Sequence, residues 1–152
     1  MEPRIAYGRV APGVRRAMVG LETYVNDCGL EHTLLDLVRL RASQINGCAF
    51  CIDMHAKDLR AAGESEQRVY MLDAWRESPF YSDRERAALA WTEAVTLVTA
   101  GHVPDEVYEQ ARQQFSEQEL VNLTLAIVAI NGWNRLNVSF RTVPGDYKPA
   151  QH

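Results

Sequence analysis

The sequence has no stretch approaching the ~18 uninterrupted apolar residues that mark a membrane-spanning helix. It also lacks a lysine/arginine run, an acidic tail, an internal repeat and a low-complexity linker. These absences argue against a membrane protein, a nucleic-acid binder working through a basic stripe, a repeat array and a disordered arm. Met1-Glu2-Pro3-Arg4 lacks the charged start and apolar run of an export signal, so the expected location is the cytoplasm. Cysteine is scarce: there are three, an odd number that leaves one unpaired and makes a poor disulfide framework. Two of them stand three residues apart, and in a chain without an export signal that spacing reads as redox or metal chemistry.

What is present is ordinary for a globular protein. Of 152 residues, 47% are hydrophobic and 24% charged, with a net charge of −4, which suits one domain spanning residues 1–152. The pattern is helical throughout, with no convincing strand pair, and predicts an all-α fold of six to seven helices. Pro12-Gly13 reads as a turn before a helix to Asp27 with Ala17, Leu21 and Tyr24 on its apolar face. A second helix is expected over 31–45, where Leu34, Leu35, Val38, Ala42 and Ile45 recur at the helical period, and Asn46-Gly47 should break it. The third begins at or near Cys48 and stops at Gly63. Ser82–Glu85 and Ser116–Glu119 have capping-box spacing, the first opening a face of Ala87, Trp91, Ala94, Val95 and Val98. Pro104 suits the first position of a helix to about Phe115. The last helix, from Glu117 towards Phe140, is apolar nearly all round between Leu120 and Ile130. Such a helix is usually buried on several sides, so contacts between subunits are expected.

The chemistry lies in Ser43-Gln44-Ile45-Asn46-Gly47-Cys48-Ala49-Phe50-Cys51-Ile52-Asp53-Met54-His55. Cys48 and Cys51 share one face of a helix start, where free amides and the helix dipole favour negative charge and lower a thiol pKa. His55 follows Cys51 by four, one turn along the same face, placed to exchange a proton with a thiol. Dipole reasoning favours Cys48 as the thiolate, whereas the histidine favours Cys51. Zinc is the rival reading, but structural sites normally take four ligands, and Cys28, His32 and His102 do not form the second pair. A c-type haem needs histidine directly after the second cysteine, and Ile52 stands there. Cys28 reads as a half-buried free thiol. Gln44 and Asn46 suit a turn or a hydrogen bond near the thiols. Trp91, Trp133 and Phe50 suit the core or an apolar pocket. Asn131 and Asn134 need partners if buried.

Leu34 to Gly63, above all the Cys48-x-x-Cys51-x-x-x-His55 spacing, resembles the redox core of the alkylhydroperoxidase D and carboxymuconolactone decarboxylase superfamily. Trp75-Arg76-Glu77-Ser78, Glu85-Arg86-Ala87-Ala88-Leu89 and Ile130-Asn131-Gly132-Trp133-Asn134-Arg135 extend the likeness over most of the chain. The resemblance implies an all-helical trimer or hexamer, and a peroxidase or disulfide reductase. It implies that Cys51 attacks the peroxide, that Cys48 shares in proton transfer and closes the disulfide, and that a dithiol of thioredoxin or lipoyl type reduces it again. No cofactor or metal is expected. It also implies that His55 joins a relay to a carboxylate twelve residues before the first cysteine. That position is Asp36 here, shorter by one methylene than the family's glutamate, and an ion pair with Arg39 is the competing reading. Two other functions stay open. One is the decarboxylase branch, which lacks the cysteine pair and whose carbanion-like chemistry needs no thiol. The other is a non-catalytic helical oligomer whose disulfide senses redox state.

Overall fold

In the computed structural model, residues 1–150 are described, and among them all regular structure is helical. The elements are α1 (Tyr7–Val10), α2 (Pro12–Asp27), α3 (His32–Asn46), α4 (Ala49–Ala61), α5 (Glu66–Tyr70), a 3₁₀ turn (Met71–Ala74), α6 (Asp83–Thr96), α7 (Val98–Gly101), α8 (Asp105–Gln114) and α9 (Glu117–Phe140). Six of these, α2, α3, α4, α6, α8 and α9, have ten residues or more, and they are the helices whose periodicity the sequence shows. The short segments α1, α5, α7 and the 3₁₀ turn have too few residues to carry a period.

Helix α3 is the hub, packing against α4, α6 and α9. Leu35, Leu37, Val38 and Leu40 are almost wholly buried, each worth about 1.5–3 kcal/mol relative to exposure. Leu34, Leu35 and Val38 share a core with Ala87, Ala88, Trp91, Leu123 and Ile127 from α6 and α9. Both capping boxes form, Ser82 with Glu85 and Ser116 with Glu119, and each glutamate also holds an arginine. Arg84 reaches Glu31 and Glu119 at 2.8 Å, tying together the starts of α3, α6 and α9, while Arg68 holds Glu85 at 2.6 Å.

Some local expectations shift. Pro12 opens α2 rather than forming a separate turn, since a proline at the first helical position loses no hydrogen bond. Pro104 sits one residue before α8, extended at φ −61° and ψ 145°. The face of α2 that packs is Met18, Leu21 and Val25, whereas Ala17 and Tyr24 are exposed. Val98 lies beyond the end of α6 and is exposed. Along α9, Leu120, Leu123, Ala126, Ile127, Ala129 and Ile130 are buried, but Val121 and Val128 stay open at 69% and 51%. Gly132 lets α2 approach closely: a Cβ there would lie 2.9 Å from Met18 Cε. No helix among the described residues is long and apolar enough to cross a membrane.

Candidate functional site

The cysteine pair sits where two helices meet with almost no loop. Helix α3 ends at Gly47, whose φ of 64° is left-handed and suits glycine. The next residue, Cys48, is already the N-cap of α4. Its sulfur takes the role usually filled by a serine or aspartate oxygen, accepting from the Cys51 amide at 3.4 Å. Both cysteines are free thiols and buried, packed with Ala42 and Ile130. The interaction with the Cys51 thiol, against the cost of burial, pulls the Cys48 thiol down to about 7, helped by the helix-start amides and Asn134. The same interaction, together with burial and the Cys48 charge, pushes Cys51 upward. The direction within the pair is thus towards charge on Cys48 and a proton on Cys51, as the helix-start argument favours.

A polar ladder from α9 faces this pair. Asn46 at the end of α3 donates to Asn131 and Asn134 at 3.0 and 2.9 Å. Asn134 donates to Ser43 at 3.0 Å. Asn137 donates to Cys51 Sγ at 3.4 Å and accepts from the Tyr7 hydroxyl at 3.2 Å. Burial and the nearby sulfurs raise the Tyr7 phenol. The partners expected for Asn131 and Asn134 are thus present, and Asn46 joins them. Gln44 instead accepts from Arg41. Asn137 and Tyr7 were not anticipated. Asn137 could have been noticed, because it repeats the Asn131 and Asn134 spacing on a helix otherwise apolar. Nothing near Tyr7 in sequence marks it.

His55 is buried on the same face as Cys51, yet no hydrogen bond joins it to either sulfur among the described residues. Its Nδ1 is without a hydrogen-bond partner and faces Asp58 Oδ2 at 3.7 Å. Asp58 accepts from the Tyr147 hydroxyl at 2.7 Å. Burial raises the Asp58 carboxyl, but His55 and Tyr147 outweigh it and hold it low. Asp36 accepts from Arg39 at 3.0 Å, on the next turn of α3. Arg39 is 5% exposed and also holds Glu22 at 2.8 Å and Asn26 at 2.7 Å. Asp36 forms the ion pair with Arg39 and also lies near enough to Tyr147 to add to the raising of its phenol by burial and Asp58, while the carboxylate facing His55 is Asp58.

An open cleft of about 840 Å³ runs past His55 and Asn137. Phe50, Met54, Trp133 and Phe140 give it apolar walls, and Tyr7 and Tyr147 close its ends from the two termini. Phe50 and Trp133 therefore border a pocket, whereas Trp91 lies in the core and donates to Thr124. Cys28 packs in the core cluster around Val25, apart from the pair. No three histidine, cysteine or acidic side chains among the described residues are grouped to hold a metal ion.

A model of the carboxymuconolactone decarboxylase family matches residues 12–94. The chain is 44% identical over 139 residues to the uncharacterized protein YdfG of Bacillus subtilis, covering 91% of this chain and 95% of that one. A crystal structure from Agrobacterium tumefaciens, of a protein of unknown function suggested to be the antioxidant defence protein AhpD, superposes with a TM-score of 0.93. It is 46% identical and covers 96% of this chain and 100% of the other. A shorter stretch of 63 residues is 33% identical to the alkyl hydroperoxide reductase AhpD of Bradyrhizobium diazoefficiens, 41% of this chain and 31% of that protein. By the family match, the likeness to YdfG and the helical fold, the chain belongs to the carboxymuconolactone decarboxylase family and has an AhpD-like fold.

Proposed function

We propose that this protein is a thiol peroxidase of AhpD type, which reduces hydroperoxides with the Cys48/Cys51 pair and is recharged by an external dithiol. The observation that carries the reading is the buried thiol pair itself: Cys48 Sγ caps the start of α4, accepting from the Cys51 amide, and Cys51 Sγ accepts from Asn137, with the Cys48 thiol drawn down. Cys51 lies just behind His55 and Asn137, both of which line the cleft.

In the reaction, the Cys51 proton passes to Cys48 and the Cys51 sulfur attacks the terminal peroxide oxygen. The O–O bond breaks, an alkoxide leaves, and a proton taken from solvent through His55, equal to the one Cys48 released on forming its thiolate, makes it an alcohol. Cys51 is now a sulfenic acid. Cys48 attacks its sulfur, the S–O bond breaks, and hydroxide leaves as water with the Cys48 proton. The sum is one hydroperoxide and two thiols to one alcohol, one water and one disulfide. A dithiol of thioredoxin or lipoyl type then returns two electrons and two protons.

The outward Val121 and Val128 of α9, beside a shallow groove lined by Trp91, Tyr108 and Leu125, support assembly into a trimer or hexamer. The test of the function is peroxide consumption by reduced protein with and without dithiothreitol, followed by peptide mapping. The expected result is a stoichiometric burst without reductant, turnover with it, and a Cys48–Cys51 link. A dominant bond to Cys28, or no peroxide consumed, overturns the reading.

A further inference from the structure

The cleft has an uneven distribution of charge. Seven arginines of the chain hold a carboxylate within 4 Å, namely Arg39, Arg41, Arg60, Arg68, Arg76, Arg84 and Arg112. Arg4, Arg9, Arg15, Arg16, Arg86, Arg135 and Arg141 hold none among the described residues, and the first three of these line the same cleft. Arg4 uses one amino group on the Ser139 carbonyl at 3.0 Å. Arg15 stands near enough to the Tyr7 phenol to favour its ionised form. One carboxylate, Glu22, shares the lining, and buried Arg39 already holds it at 2.8 Å. Three guanidinium groups without a carboxylate thus share the lining of one apolar cleft in a protein of net charge −4.

We infer that this cleft takes an amphipathic carboxylate: a ligand with an aliphatic or aryl body against Phe50, Met54, Trp133 and Phe140, and a carboxylate held by Arg9 and Arg15. Guanidinium groups match carboxylates through paired N–H donors. An aromatic and methionine floor receives flexible carbon chains without demanding one shape. Resting on the peroxidase reading, the substrate class is then the hydroperoxides of such acids. The carboxylate is a spectator: the peroxide becomes an alcohol and the dithiol a disulfide, as above.

Two measurements separate this inference from the reading beneath it. Calorimetric titration of the reduced protein with decanoate and with decanol tests recognition without any peroxide. Decanoate should bind at least about tenfold more tightly than decanol, with the advantage shrinking as salt rises. In R9Q/R15Q, whose changed side chains are exposed, the advantage should fall to about twofold or less. The second measurement is kcat/KM for a long-chain acid hydroperoxide against its methyl ester. Wild type should prefer the acid about tenfold, and the ratio should approach one in the double variant. Equal binding of decanoate and decanol, or a preference that survives the double substitution, overturns the inference even if both peroxides are consumed. Selective decanoate binding with neither peroxide consumed sustains the carboxylate site and removes the peroxidase reading instead.

Discussion

Replacing Cys51 by alanine removes the leading interaction that holds charge on Cys48, and the size of the effect follows from the site. Cys48 is drawn from 9.0 to about 7. Two units correspond to about 2.7 kcal/mol of preference for the thiolate. A hydrogen bond to a charged group contributes ~1.5–3 kcal/mol. The Cys51 thiol is first among the donors, ahead of the helix-start amides and Asn134, while burial opposes them all. C51A should therefore raise the Cys48 pKa by about one to two units. At pH 7 the thiolate fraction would fall from about one half to about a tenth or less. C51S keeps an O–H donor and should hold Cys48 within about half a unit of its natural value. The assay is the rate of iodoacetamide alkylation against pH, in a C28S background so that Cys48 alone reports. Superimposable C51A and C51S profiles would refute the assignment of cause. Preferential alkylation of Cys51 over Cys48 near neutrality in the otherwise natural protein would refute the location of the charge.

Stability under reducing conditions should rise between about pH 7 and 9, because the folded protein has released the Cys48 proton while the unfolded chain still binds it. The gain should stop near 9, where the unfolded chain also releases its Cys48 proton, and turn to a loss above it, because the unfolded chain then releases its Cys51 proton while the folded one keeps it; urea midpoints across this range check both limbs. Asp58→Asn should slow peroxide reduction by about tenfold or more if Asp58 orients His55, leaving the melting temperature little changed. Asp36→Asn should instead cost about 1–3 kcal/mol by weakening the hold on buried Arg39, with peroxidase rate preserved; equal rate losses in the two variants would return Asp36 to the relay. Sedimentation should show a trimer or hexamer at micromolar concentration, and Val121→Glu with Val128→Glu should dissociate it; a monomeric natural protein would remove that assembly.

The helices that build the scaffold were legible because their signals are local. The stripe from Leu34 to Ala42 and the serine–glutamate caps of α6 and α9 each lie within a few turns, and so does the Cys48–Cys51–His55 spacing. The surroundings of that triplet were not legible. Tyr7, Asn137 and Tyr147 reach it only through packing of the termini and α9 against α4, with 130 residues separating Tyr7 from its partner Asn137. Asp36 shows what spacing alone leaves open: the carboxylate stands at the expected place, and an arginine one turn along also holds it. Likewise, Ala17 and Tyr24 fit an apolar helical stripe, yet α2 turns Met18, Leu21 and Val25 inward, with Met18 set close against Gly132 of α9.

The amides that α9 brings to the thiols also set an order in time. Asn137 follows Cys51 by 86 residues. At a synthesis rate of ~5–20 residues per second, the ribosome makes the cysteines about 4–17 s before it makes that partner. During that interval α4 can start, but its sulfurs have neither the Asn137 donor nor the cover of Ile130. A nascent chain meeting an oxidant then would be open to sulfenic or mixed-disulfide chemistry at sulfurs that are buried once the chain is folded. The last helix is thus the step that adds the Asn137 and Asn134 amides and the cover of Ile130 to a pair α4 has already begun to arrange, and any delay in its docking lengthens the period without them.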